Sequence, residues 1–158
     1  MTVIALSLLI GVIAGLRTMT APAAAAFGAR FGALAVAGTP MAFMGYAWTP
    51  WILGLAALAE LVTDQLPSTP SRKVPVQFTA RILSGALSGA TIAAPSASVV
   101  TGVIAGIIGA ILGTLGGAAF RARLATALGS DRPAAIVEDL IALGGAAALI
   151  LTARSILA

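Results

Sequence analysis

Between Ser98 and Phe120 the chain reads SVVTGVIAGIIGAILGTLGGAAF, 23 residues without a charge or a proline. As a helix rising about 1.5 Å per residue, this stretch reaches roughly 35 Å, enough to cross a hydrocarbon core of about 30 Å with some tilt. It therefore reads as a membrane span, and the rest of the chain has to be compatible with a bilayer. Gly102, Gly106, Gly109, Gly113 and Gly116 recur at alternating steps of four and three, which places them on one stripe of that helix. Each glycine costs an isolated helix about 1 kcal/mol relative to alanine. Five on one line point to a second helix backbone packed closely against the stripe, and their 3.5-residue period favours a left-handed crossing.

Composition agrees with that solvent. The 158 residues are 59% hydrophobic and 9% charged, against about 25% charged in an ordinary soluble domain. Too little polar sequence lies outside the apolar runs for a second, aqueous domain, so residues 1–158 read as a single transmembrane domain. Cysteine and histidine are both absent, which removes disulfides, Cys/His metal sites and nucleophilic catalysis built on either residue. No metal or other cofactor is expected, and the chain does not read as an enzyme. The formal net charge of +4 comes from nine basic residues scattered among apolar runs without interleaved aromatics. That pattern argues against nucleic acid and for positive-inside membrane topology.

Taken in order, Thr2–Gly15 forms a first apolar helix carrying a Gly11/Gly15 pair suited to packing. A signal-peptide core is the competing reading of this run, but no lysine or arginine precedes it. Arg17–Pro22 interrupts the helix, with Thr20 as a candidate N-cap and Pro22 in the first turn of the next helix. Ala23–Ala37 is short for a crossing and fits a tilted span, a half-helix or a re-entrant segment. Tyr46, Trp48 and Trp51 are the amphipathic aromatics expected at headgroup depth. A third helix over Trp51–Leu66, a fourth over Val76–Ala94, the glycine-lined fifth and a sixth over Ala134–Ile156 follow. The connection Pro67–Pro75 contains three prolines beside Arg72 and Lys73, and Arg121, Arg123 and Arg132 flank the turn before the sixth helix. These two basic connections lie two spans apart, so both are placed on the cytoplasmic side, with Trp48 and Pro95 on the other.

The expected fold class is therefore all-α, an integral membrane bundle of five or six segments. Thr18–Pro22 resembles Thr91–Pro95, each after a glycine-bearing helix, which raises two inverted three-segment halves as an arrangement. A rival register also exists: Gly-Val-Ile-Ala-Gly occurs at 11–15 and 102–106, and Ala-Ala-Phe at 25–27 and 118–120.

Six ionisable residues in or beside the spans are the candidate site: Glu60, Asp64, Glu138 and Asp139, with Arg81 and Arg17 as counter-charges. Ionisable groups inside a membrane are functional candidates by default, since each is costly to bury. In one reading they line a hydrated vestibule and handle a proton or cation. In the other, Glu60 and Asp64 pair with Arg81 or Arg17, and the pairs only fasten helices. A catalytic carboxylate pair is disfavoured because no Ser, Lys or metal constellation accompanies it.

The pattern Glu60-x-x-x-Asp64-x-x-Pro67, then Arg81 with Gly85, then a late Glu138-Asp139 pair, resembles an uncharacterised bacterial family of small polytopic membrane proteins, a domain of unknown function. The resemblance runs from about Gly15 to the last helix and implies a multi-span fold, with no activity attached. The basic, proline-rich connection after Pro67 departs from it. Together these readings predict a small inner-membrane protein of bacteria that moves an ion or small solute and self-associates in the lipid bilayer. The alternative is a non-catalytic assembly subunit.

Overall fold

The computed structural model describes residues 2–64, 74–96 and 98–157, and among these the chain is helical without strands. Six helices follow one another: α1 (Thr2–Leu16), α2 (Thr20–Arg30), α3 (Thr49–Thr63), α4 (Pro75–Ala93), α5 (Val99–Leu128) and α6 (Asp131–Leu157). Short 3₁₀ turns occupy Ala42–Gly45 and Ala94–Ser96. The Pro67–Lys73 part of the expected connection, with Arg72 and Lys73, lies outside the described residues.

Helix α5 is the axis of the bundle, and its glycines explain why. On one side Gly102 and Gly106 meet α4, where a Cβ on either would overlap the carbonyl oxygen of Gly89 or Gly85. On the other side Gly109 and Gly113 meet α1, where a Cβ would overlap the carbonyl oxygens of Leu8 and Val12. Gly11 completes the second seam, its own Cβ position falling on the carbonyl of Gly106. The stripe thus seats two helices along its length, with Gly106 shared by both. Gly116, the fifth of the series, is exposed with nothing within 4 Å of its Cβ position, so the seam ends at Gly113. Ser7 Oγ donates to Gly89 O at 3.1 Å and ties α1 directly to α4. Backbones this close lose side-chain entropy cost and gain dispersion contacts, the terms that drive helix association where no hydrophobic effect operates between helices.

Helix α2 is only eleven residues long, about 16 Å, and alanines Ala21, Ala25 and Ala26 bury it against its neighbours. The expected segment Ala23–Ala37 is therefore helical only as far as Arg30, followed by turns at Gly32 and Gly38. Helix α3 packs on α2, with Phe27 and Trp51 edge to face at 5.4 Å between ring centroids. Pro50 and Pro75 sit in the first turns of α3 and α4, where the missing N–H costs nothing. Helix α5 runs eight residues beyond Phe120, through Arg121 and Arg123, where a loop is expected from sequence. It ends only at Gly129, whose φ of +69° closes the helix in the left-handed region.

Two helices, α5 and α6, are long and apolar enough to cross a membrane, and only 39% and 33% of their apolar windows are buried. Val100, Ile104, Leu112, Leu140 and Leu151 are among the large apolar side chains they turn outward. Tyr46, Trp48 and Trp51 are exposed together at the start of α3, one helix length from Asp64 at its end.

Candidate functional site

The site is built around a break in the chain. Helix α1 continues as far as Arg17, whose N–H bonds to Ile13 O at 2.8 Å. In an uninterrupted helix the next two N–H groups, of Thr18 and Met19, would reach Ala14 O and Gly15 O. Instead both donate to the carboxylate of Glu60 on α3, each at 2.7 Å, one to each oxygen. The carbonyls freed on the other side of the break are taken as well: Arg81 Nη1 on α4 donates to Gly15 O at 3.1 Å and to Leu16 O at 2.8 Å. Ser84, one turn along α4, donates to Thr18 O. Two N–H groups and three carbonyls of this non-helical stretch, which would be costly to leave unbonded away from water, are thereby paired with side chains from two other helices. Helix α2 then starts at Thr20, and Ala23 N–H bonds to Met19 O at 3.0 Å.

The expectation that Thr20 caps α2 through its own side chain is corrected here. Met19 occupies the cap position with no side-chain bond, and Thr20 is the first helical residue, its hydroxyl without a partner among the described residues. Just ahead of the first turn of α2, the N–H groups of Thr18 and the cap residue Met19 are instead taken by a carboxylate 42 and 41 residues away. Glu60 also carries the negative charge favoured at a helix N-terminus.

Arg17, the first residue of the break, is fully buried and lies among carboxylates. Its Nη1 pairs with Asp64 at the end of α3, and its Nε donates to Asp139 Oδ1 on α6 at 2.5 Å. Its Nη2 lies 3.9 Å from Glu138 Oε2 and has no hydrogen-bond partner among the described residues. The same oxygen of Glu138, a residue 1% exposed, lies 3.5 Å from Arg121 Nη1 of α5. Arg121 in turn grips Asp131 at the start of α6 through Nε at 2.9 Å and Nη2 at 2.6 Å. Arg81 stands 4.0 Å from Glu60, so the two groups that hold opposite sides of the break also face each other.

All six ionisable residues singled out in the sequence, Arg17, Glu60, Asp64, Arg81, Glu138 and Asp139, therefore meet at one end of the bundle. Asp64 goes to Arg17 and Glu60 approaches Arg81. Two members were not singled out: Arg121 and Asp131, which sequence places in a connection. Their ten-residue separation around Gly129 is the signal that was available, since it matches the facing ends of two antiparallel helices. Ser84, which also takes part, lies three residues after Arg81 on α4, and that helical spacing was its signal in the sequence. Among the described residues no group of three or more carboxylates is arranged to hold a metal ion.

Chemically, the arrangement is a buried network of guanidinium–carboxylate pairs wrapped around exposed backbone polarity. Removing one partner from such a pair is costly, because the other charge is left without compensation in a low-dielectric surrounding. No family model, curated protein or solved structure matches the chain.

Proposed function

We propose that the chain is a small multi-pass protein of the bacterial inner membrane that moves a proton, ion or small solute, without enzymatic activity. The observation that carries this reading is the break at Arg17–Met19, whose N–H groups rest on an ionisable residue, Glu60, and whose carbonyls rest on Arg81. Discontinuous helices of this kind line substrate and ion sites in many secondary transporters. Protonation of Glu60, or a cation in place of a guanidinium, would weaken hydrogen bonds to a charged group worth about 1.5–3 kcal/mol each and loosen the break. Glu60, Asp64, Glu138 and Asp139 are the proton- or cation-handling groups in this account, with Arg17 and Arg81 as the counter-charges that close the site at rest. The basic Arg121–Arg132 end faces the cytoplasm, and the aromatic end at Trp48 faces outward. Five or six crossing segments, two inverted three-segment halves and a homo-oligomer belong to the same proposal.

The experiment is flux through purified protein in liposomes. Proton or monovalent-cation flux that Glu60→Gln abolishes, with the folded protein retained, supports transport.

A second reading is favoured by one specific observation: Arg17 is enclosed by Asp64, Asp139 and Glu138 while Glu60 is occupied by backbone N–H groups. In that reading the protein is a non-catalytic assembly subunit whose charges lock helices. It predicts no flux from folded wild-type protein and loss of folding when the charges are altered.

A further inference from the structure

Beside the charged cluster, α2, α3 and α6 enclose a lateral groove of about 450 Å³. Its walls run from Thr20 to Phe27 on α2, from Gly54 to Leu61 on α3 and from Leu143 to Leu151 on α6. At about 1.5 Å per residue each wall is roughly 10–12 Å long. Within four residues of one end of every wall stands a charged member of the cluster: Arg17 in the break before Thr20, Asp64 after Leu61, Asp139 before Leu143. The groove is thus an apolar slot stopped at one end by paired charges. Leu58, Leu143 and Leu151 on its rim are exposed, so it opens sideways, toward lipid in the membrane reading.

The occupant follows from size and polarity. A helix about 10 Å across fills on the order of 120 Å³ per residue, so the slot would take roughly one turn and is too small to seat a helix of a second copy. Its volume lies in the range of roughly 300–1,000 Å³ typical of small-ligand sites. The one polar side chain in its lining is Thr20, 3% exposed, whose hydroxyl has no partner among the described residues. A buried hydroxyl without a bond costs about 1–3 kcal/mol, and the break that frees it is held by Glu60 and Arg81 rather than by Thr20. A threonine in a helix divides between two χ1 rotamers, so its hydroxyl can turn to a ligand without backbone movement.

We infer that the groove binds one acyl chain of a bilayer lipid, with the lipid's uncharged ester oxygen at Thr20 and the chain lying along Phe27 and Gly54. The site is independent of the transport reading: it is filled whether or not the protein moves a solute. The slot has no charged lining of its own, so the head group stays at the charged end outside it, where a lipid of the inner leaflet would present it.

The test uses the full chain in vesicles of phosphatidylethanolamine and phosphatidylglycerol containing a phosphatidylethanolamine with a photoactivatable diazirine on its acyl chain. Labelled residues are mapped by mass spectrometry after irradiation. Helix α2 is otherwise covered by α3, α4 and α6, so label on Ala23–Phe27 reports entry into the groove. The expected result is label on α2 that falls roughly tenfold in Ala147→Phe, which fills the slot from an exposed rim position, and about fivefold in Thr20→Val, the loss of one hydrogen bond. Label on the outward face of α5 at Leu112 stays unchanged in both and shows that the protein is folded and embedded. Absence of label on α2, or label there that Ala147→Phe or Thr20→Val leaves untouched, overturns the inference.

Discussion

Arg17 and Asp139 are 122 residues apart in the chain, yet Arg17 Nε donates to Asp139 Oδ1 at 2.5 Å with the guanidinium fully buried. That contact joins the first helix to the last at the point where the first is interrupted. The same guanidinium holds Asp64 at the end of α3, so one side chain fixes three helices around the break. Lysine is a poorer fit, because its compact, strongly hydrated ammonium has to reach both carboxylates from one nitrogen, where arginine uses separate nitrogens of a rigid plane. Arg17→Lys is expected to fold less stably than wild type while keeping the charge, and thermal unfolding in detergent measures the difference.

The glycine seams make a sharp comparison within one helix. Gly106→Ala places a methyl group on the carbonyl oxygen of Gly85, and every atom it would crowd is α4 backbone, which cannot turn aside as a side chain can. The expected cost is about 3 kcal/mol or more, the upper end of overpacking in a tight core. Gly116→Ala meets nothing within 4 Å and restores helix propensity, so it should be neutral or stabilise by up to about 1 kcal/mol. In the same detergent the melting temperature of Gly106→Ala should fall well below that of wild type, while that of Gly116→Ala should stay level or rise.

Glu60 can be dissected by how much of its carboxylate is kept. Glu60→Gln retains one acceptor oxygen for Thr18 or Met19 N–H and should destabilise by about 1–2 kcal/mol, leaving the protein folded. Glu60→Ala strands both N–H groups and should cost about twice as much or more. Hydrogen exchange at Thr18 and Met19 locates the effect: protection falls partly in the first variant and fully in the second.

Arg121 and Asp131 form a two-pronged pair at the outer edge of the network, with Asp131 exposed. Solvent screens such a pair, so Asp131→Asn is expected to change stability by no more than about 1 kcal/mol. Asp139→Asn, which removes a partner of the buried Arg17, should cost about 3–5 kcal/mol. Equal effects from the two substitutions would show that burial does not distinguish them.

Because the chain has no cysteine, single substitutions report topology cleanly. Ser96, at the α4–α5 turn, and Ser130, between α5 and α6, are both exposed and lie at opposite ends of α5. An impermeant maleimide applied to intact cells should label Ser96→Cys and reach Ser130→Cys only after the cells are permeabilised.

Much of this was legible because apolar sequence makes exceptions conspicuous. The glycine spacing of α5 announces close backbone contact, and Gly102 to Gly113 make it. The same spacing says nothing of how many partners share the stripe, since a row of missing side chains is equally open to α4 and α1. Gly116 has the right spacing but lies past the contact, because α1 meets α5 no further along than the break. Glu60, Asp64, Arg81, Glu138 and Asp139 stand out for the same reason, as charges in apolar helices. The break itself is marked by Arg17 and Pro22, but its cap was not readable: the acceptor for Thr18 and Met19 comes from α3, and local propensity favours the wrong residue, Thr20. Likewise the two arginines at 121 and 123 look like the end of a span. Helix α5 continues past them because Arg121 finds Asp131 and Glu138 on the neighbouring helix.

The buried Arg17–Asp139 pair acts as a unit that joins α1 to α6 beside the break, and a double-mutant cycle measures that coupling. Unfolding free energies would be measured in mixed micelles for wild type, Arg17→Met, Asp139→Asn and the double variant. The double variant is expected to lose far less than the sum of the two single losses, a coupling of about 2–3 kcal/mol. Single losses that add to within about 0.5 kcal/mol would contradict it, because residues that do not share an interaction behave in that way.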